Sequence, residues 1–464
     1  MTATASVPFT PPAPKPRYIP PNAKPSLQGY LRYLTIMARN PLEVFTEANF
    51  EGFLQPSRVF GQRYALVHDP EAIRRYLVTN AENYGLTQLR KDMFEPLIGK
   101  GLLIAEGTTW THTRGALTPV FNHRNVRSFA PTMKAVIDRE ADEIAARDGQ
   151  GVAMSSQMLG LALNVLTACL FSGDTAIDTD RFSKNLDQLL DIAGMPHPLD
   201  LMSAPVWVPR VGRGQAKRIV RELRDQVGAV LTARRKEERV AENNDFLSLL
   251  ISAGVKEGAP LTDDEIIDNL ITFLAAGHET TARTLTWTFY LLSKAQDATA
   301  RVQSEIDAAG LDHIAPEDWA KALPFTVAVI KESMRLYPAA AIFSRLALGP
   351  DRLCDTDIAA GTEIITAPWV LHRHKKLWDN PNSFDPDRFL AERGEAIPRH
   401  AYMPFGAGPR ICIGASFSMQ EMVIIVATFM ERMRFKHIGG TEPQPIMRIT
   451  IQPSTPVHLR VERR

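Results

Sequence analysis

The sequence is poor in cysteine, nearly without net charge, and lacks any long unbroken apolar run. Three cysteines in 464 residues, Cys169, Cys354 and Cys412, are too few and too scattered for a disulfide framework, which points to a reducing cytosol. No stretch of about 18 or more uninterrupted apolar residues exists, so no membrane anchor is predicted. The first residues also lack the basic-then-apolar order of a signal peptide. A net charge of +1 argues against nucleic acid as the main partner. No Gly/Ser linker, repeat or low-complexity tract divides the chain, so residues 1–25 read as a proline-rich extended arm and 26–464 as one helix-rich, monomeric unit. At 45% hydrophobic and 23% charged residues, that unit can bury a large core. Cys169 falls in the apolar run 161–171 and reads as core; Cys354 falls in a polar turn.

What is present converges on Pro404-Phe405-Gly406-Ala407-Gly408-Pro409-Arg410-Ile411-Cys412-Ile413-Gly414. Its glycines and prolines demand a tight loop, and the apolar run behind it predicts a helix over 415–430, so the loop delivers Cys412 to a helix N-terminus. Partial positive charge and free N–H groups there favour a thiolate. A phosphate cradle fails, because Ile411 stands where a third glycine is needed and Pro409 removes an N–H. A zinc site fails too, for want of a second Cys or His at ligand spacing. A single-thiolate site or a buried free cysteine in a glycine turn remains.

The loop resembles, almost residue for residue, the haem-binding signature of the cytochrome P450 family: Phe405, Gly406 and Gly408, a basic Arg410 two before the cysteine, Gly414 two after. The resemblance implies a mainly α fold with a small β region, the cytochrome P450 fold. It also implies haem b with Cys412 as the ligand of its iron, and O2 as co-substrate. Trp110 and Arg114, four apart on one helix face, resemble the family's pair of propionate donors, although Gly115 stands where many relatives have a second basic residue. Ala276-Gly277-His278-Glu279-Thr280-Thr281 lies in a helix that begins with the capping box Thr262–Glu265 and runs to about Lys294. By resemblance Ala276 and Gly277 form an oxygen groove, and Glu279 and Thr280 an acid–alcohol pair that delivers protons. Taken alone, the stretch is a helix that packs closely through Gly and Thr.

Glu332 and Arg335 are common as a helix-surface pair. With Phe384-Asp385-Pro386-Asp387-Arg388-Phe389 following, they resemble the family's buried triad, Glu332, Arg335 and Arg388, which positions the cysteine loop. Arg345 and Arg410 should meet propionates. Ala340, Ala341, Ile342 and Phe343 are candidates to face substrate, with Ile449 and Thr450 from a strand expected at 448–452. Elsewhere the pattern predicts helices at 26–48, strands in 59–69 and at 362–366, a helix at 70–78 and an irregular, pocket-lining loop over 83–107. The proline-rich stretch 195–213, with Trp207 and Val208, corresponds to the family's substrate lid, and its residues suit an apolar substrate. His123, Arg124 and Arg127 form a basic patch suited to an acidic electron-transfer partner.

The activity implied is monooxygenation, by hydroxylation or epoxidation, of a small hydrophobic substrate. Because the chain stops soon after the cysteine helix, NAD(P)H-derived electrons are expected through a ferredoxin and ferredoxin reductase, or a flavodoxin-type donor. A peroxide-driven peroxygenase or haem-thiolate isomerase would share Cys412 but commonly loses the acid–alcohol pair. A non-catalytic haem sensor has no need of Glu279 and Thr280.

Overall fold

The computed structural model describes residues 9–17, 27–59, 61–172, 179–193, 213–236, 245–253, 255 and 259–464. Its longest element is the helix Asp263–Lys294. Thr262 Oγ1 accepts from Glu265 N at 3.3 Å while Glu265 Oε2 accepts from Thr262 N at 2.9 Å, so the expected capping box starts it. Asp263, Asp264 and Glu265 in the first turn and Lys294 in the last complement the helix dipole. Its buried faces pack on helices Met154–Phe171, Arg213–Arg234, Pro324–Leu336 and Ala415–Arg432. Met154–Phe171 is long and apolar enough to cross a membrane, but 67% of it is buried, because it sits between the long helix and Ala130–Ala145.

A five-stranded sheet stands to one side, in the spatial order Leu54–Val59, Gln62–Val67, Glu363–Thr366, Phe343–Ala347, Tyr84–Gly85. Gln62–Val67 runs parallel to Glu363–Thr366 and the other pairs are antiparallel. Tyr76, from the turn after helix Pro70–Arg74, ties into this sheet by donating to Thr366 Oγ1 at 2.6 Å.

Two sequence expectations need correction, and the arm shows contacts not foreseen. The stretch 83–107 is not one irregular loop: Thr87 caps a helix Gln88–Ile98, which tolerates Pro96 in its last turn and ends at Gly99, φ +61°, leaving 99–106 irregular. The strand expected at 448–452 is a hairpin, Pro445–Met447 with Ile451–Pro453, and residues 448–450 are its turn, closed by Arg448 N donating to Thr450 O at 2.9 Å. The arm is extended over 9–17 but pinned to the body: Phe9 O accepts from Phe384 N at 2.8 Å and Pro12 O from Tyr337 Oη at 2.9 Å. Of the lid stretch 195–213, all but Arg213 lies outside the described residues.

Glu332, Arg335 and Arg388 do come together. Arg335 Nε and Nη2 bind Glu332 at 2.6 and 2.8 Å, and Arg388 Nε lies 3.5 Å from Glu332 Oε1, all in the interior. Arg335 also donates to the carbonyls of His372, Pro381 and Ser383 at 2.7–2.9 Å, and Asp385 N donates to Glu332 at 2.8 Å. Next to this network two imidazoles are buried neutral. Burial, then the charges of Arg335 and Arg373, push His372 down to about 3, and burial with His374 pushes His68 down to about 3.

Glu332→Ala leaves two buried guanidinium groups without their carboxylate and is expected to cost roughly 3–5 kcal/mol in unfolding experiments. His68 and His372 bind protons more readily unfolded than folded. The stability they contribute is therefore complete above pH ~6.5 and drains away as pH falls toward the folded values. Thermal unfolding should show a decline in Tm starting near pH 6.5 that His68→Gln and His372→Gln flatten.

Candidate active site

The cysteine loop is shaped by two residues that only glycine suits. Gly406 and Gly408 both sit at φ +74°, and a Cβ on Gly408 would collide with the carbonyl of Leu77, whereas one on Gly406 would meet open space. Cys412 N donates to Phe405 O at 2.9 Å and Ile411 N to Gly408 O at 3.0 Å, closing the loop ahead of the helix Ala415–Arg432. Cys412 is enclosed by protein, yet its surface is accessible, as befits a residue facing a cavity. Its ionisation departs from the sequence expectation. Burial pushes the thiol up, against the opposing pull of Gly414 N–H and Arg114, so the helix terminus alone does not produce a thiolate. A metal ion on the sulfur would.

The long helix runs unbroken from Asp263 to Lys294, and its burial lapses around Ala276. Ala276 is exposed and Gly277 and Thr280 partly so, although the neighbouring His278, Glu279 and Thr281 are buried. Thr280 Oγ1 donates to Ala276 O at 2.7 Å, the back-bond that loosens a helix there. Thr281 Oγ1 lies 3.1 Å from Ser418 Oγ on the cysteine helix, so this stretch and the cysteine loop are neighbours.

Around the loop the structure gathers guanidinium groups. Arg410 lies over the Trp110 ring at 4.7 Å and donates to Ala105 O at 2.8 Å. Arg114 donates to Ile411 O at 3.1 Å, and Arg345, 8% exposed, donates to Ser344 O at 2.9 Å. Arg90, from the unforeseen helix Gln88–Ile98, donates to Leu103 O at 3.3 Å, and its buried Nε has no partner. Burial, then repulsion from Arg345 and Arg410, push Arg90 down to about 10; burial and Arg345 do the same to Arg410. Cations buried together against carbonyls, opposed by Glu106, call for an anion. Arg90 escaped the sequence reading because nothing short of recognising Thr87 as a helix cap separates it from its charged neighbours.

The candidate pocket residues divide. Ala340 is exposed, and Ile342, Phe343 and Ile449 are partly so. Ala341 is 1% exposed and uses its carbonyl to accept Trp369 N at 3.3 Å, so it is core. Thr450 is 2% exposed and donates to Glu279 Oε1 at 2.8 Å instead of facing a pocket. In the basic patch, Arg127 is held by Asp318 at 2.8 and 3.1 Å, leaving His123 and Arg124 as its exposed members.

Fold and site together define a mainly helical protein with an accessible loop-borne cysteine, accessible positions in the middle of its longest helix and a cluster of arginines suited to an anion. Residues 35–460 match the Cytochrome P450 family, to which this chain therefore belongs. It is similar to cyclooctatin synthase of Streptomyces melanosporofaciens, 30% identical over 423 residues, 90% of this chain and 91% of that one. Pentalenene oxygenase of Streptomyces avermitilis is 29% identical, covering 92% and 94%. Cyclooctat-9-en-7-ol 5-monooxygenase of S. melanosporofaciens is 31% identical, covering 87% of each chain. The enzyme is thus a cytochrome P450 monooxygenase, an oxidoreductase of haem-thiolate type that uses O2. The unpartnered Arg90 Nε and the crowded cations beside it fit the carboxylates of haem.

Gly406→Ala is expected to cost about 1–2 kcal/mol of stability through backbone strain alone. Gly408→Ala should cost more and also release haem, because the Leu77 carbonyl must yield; thermal unfolding and haem content of the two variants, measured side by side, check the ranking.

Proposed function

We propose that this chain inserts one atom of O2 into a largely hydrocarbon substrate, by hydroxylation or epoxidation. Cyclic alkenes and alkenols are the favoured class, in keeping with the similarity to pentalenene oxygenase and cyclooctat-9-en-7-ol 5-monooxygenase. The observation that carries this reading is the pairing of an accessible Cys412 with accessible positions, Ala276, Gly277 and Thr280, in the middle of an otherwise largely buried helix. Haem, when bound, supplies an iron centre able to activate O2. The remaining work falls to side chains. Arg90, Arg345 and Arg410, with Trp110 and Arg114, hold the two propionates. Phe405, Gly406 and Gly414 fix the loop that presents Cys412. Gly277 leaves space in a groove already narrow, since a Cβ there would lie 3.1 Å from Leu166. Thr280 spends its own proton on Ala276 O and so presents oxygen lone pairs to the cavity, where they can accept and pass on a proton. Glu279, one residue earlier, replenishes that proton. Ala340, Ile342, Phe343 and Ile449 line the substrate side.

Electrons reach the site from NAD(P)H through a ferredoxin and its reductase, docked near His123 and Arg124, and the unit 26–464 works as a cytosolic monomer. Dithionite reduction followed by carbon monoxide should give the Soret band from which the family takes its name, and Cys412→Ser should move it to the blue. Arg90→Leu should keep the band position but lose haem faster to apomyoglobin. Turnover of a cyclic alkene with NADH, ferredoxin and reductase is expected; turnover with peroxide alone would overturn the redox assignment.

A further inference from the structure

We infer that Thr450 is a positioning residue for Glu279, and that the hairpin turn at 448–450 sets where the acid of the acid–alcohol pair stands; this rests on the monooxygenase reading above. Glu279 and Thr280 are adjacent on one helix and so point about 100° apart. Thr280 is partly exposed, while Glu279 is 7% exposed and turns to the hairpin over 445–453. There Thr450 Oγ1 donates to Glu279 Oε1 at 2.8 Å in a buried contact. Arg283, one turn further along the helix, lies 3.5 Å from the same oxygen and attracts it without a hydrogen bond. Thr450 is therefore the hydrogen-bond donor to Glu279 among the described residues, and Oε2 has no partner among them. A buried carboxylate oxygen in that condition is costly, so it favours a proton or a water as its partner, which is the role the acid of the pair requires.

The donor is held with little freedom. Asn40 Nδ2 donates to Pro445 O at 3.0 Å and its Oδ1 accepts from Met447 N at 3.1 Å, fixing one strand of the hairpin. Trp287 Nε1, from the same long helix as Glu279, donates to Ile451 O at 3.1 Å and fixes the other. The turn that carries Thr450 is thus bolted to the helix that carries Glu279. Charge, geometry and rigidity together make Thr450 the residue that assigns one oxygen of Glu279 to the protein and leaves the second for proton traffic.

The test compares wild type, Thr450→Val, Thr450→Ser and Glu279→Gln in the haem-loaded enzyme. One readout is the fraction of NADH oxidised, with a plant-type ferredoxin and its reductase, that appears as hydrogen peroxide. Thr450→Val should raise that fraction and enlarge the solvent deuterium isotope effect, in the direction of Glu279→Gln, and Thr450→Ser should restore wild-type values. A second readout is a Tm cycle in which Thr450→Val and Glu279→Gln combine non-additively. An additive cycle, or a peroxide fraction unchanged in Thr450→Val, would overturn the inference. Loss of the carbon monoxide band in wild type would instead sink the monooxygenase reading, while the Tm cycle would still report on the contact.

Discussion

Glu332 is a full negative charge at 0% exposure, and the geometry of the cysteine loop depends on how that charge is satisfied. A buried ion pair is tolerable only when its remaining donors and acceptors are also used. Here Arg335 places all five of its N–H donors, two on Glu332 and three on the carbonyls of His372, Pro381 and Ser383. Those carbonyls belong to the stretch leading toward the loop. His372, fixed through its carbonyl, accepts from Met403 N at 2.9 Å with its own Nε2, and Met403 precedes Pro404 and Phe405. Tyr402 Oη donates to Lys331 O at 2.9 Å and ties the same run back to the helix that bears Glu332. The approach to Cys412 is thereby set by a continuous chain of hydrogen bonds. The neutrality of His372 matters to it, since a protonated ring could not accept from Met403.

Two groups of arginines follow opposite rules in one molecule. Arg335 is buried and fully paired, so it fixes structure. Arg345 is buried, with Arg90 and Arg410 half-buried beside it; they repel one another, Glu106 offsets part of that repulsion, and a further anion would relieve the rest. Destabilisation confined to one place, beside a thiol whose burial also opposes ionisation, is what a binding site gives up for its ligand. On the proposed reading haem binding and folding are coupled, because a cofactor whose carboxylates meet these arginines and whose iron meets Cys412 relieves both the cation crowding and the unfavourable thiolate.

Much of this was legible in the sequence because its signals are local. Thr262 with Glu265 marks a helix start through two bonds made within one turn, and Gly406 and Gly408 mark a backbone conformation that other residues resist. The spacing of Trp110 and Arg114 needed only helix geometry. What stayed hidden is decided by distant partners. Thr450 sits between apolar neighbours in a pattern that reads as a strand; the pairing of residues 445–447 with 451–453 makes it a turn, and its partner Glu279 lies 171 residues away. Arg90 lies among alternating charges, and its burial follows from Arg345 and Arg410 arriving from elsewhere in the chain. Arg127 reads as a free surface cation until Asp318 meets it.

The same distinction bears on how the acid and the alcohol divide their work. Adjacent residues on a helix cannot share a face, so a Glu-Thr pair in sequence cannot be a contacting pair in space without rearrangement. Thr280 is fixed by its own helix, through Ala276 O, and its place is therefore secure against changes elsewhere. Glu279 has a local partner in Arg283, one turn along, only at 3.5 Å and without a hydrogen bond, so its place is set by the hairpin that carries Thr450. On the proposed reading, proton supply thus depends on a hairpin near the C-terminus, remote in sequence from the helix that carries the acid. Variation in that hairpin can alter how efficiently oxygen is used while leaving the haem environment as it is.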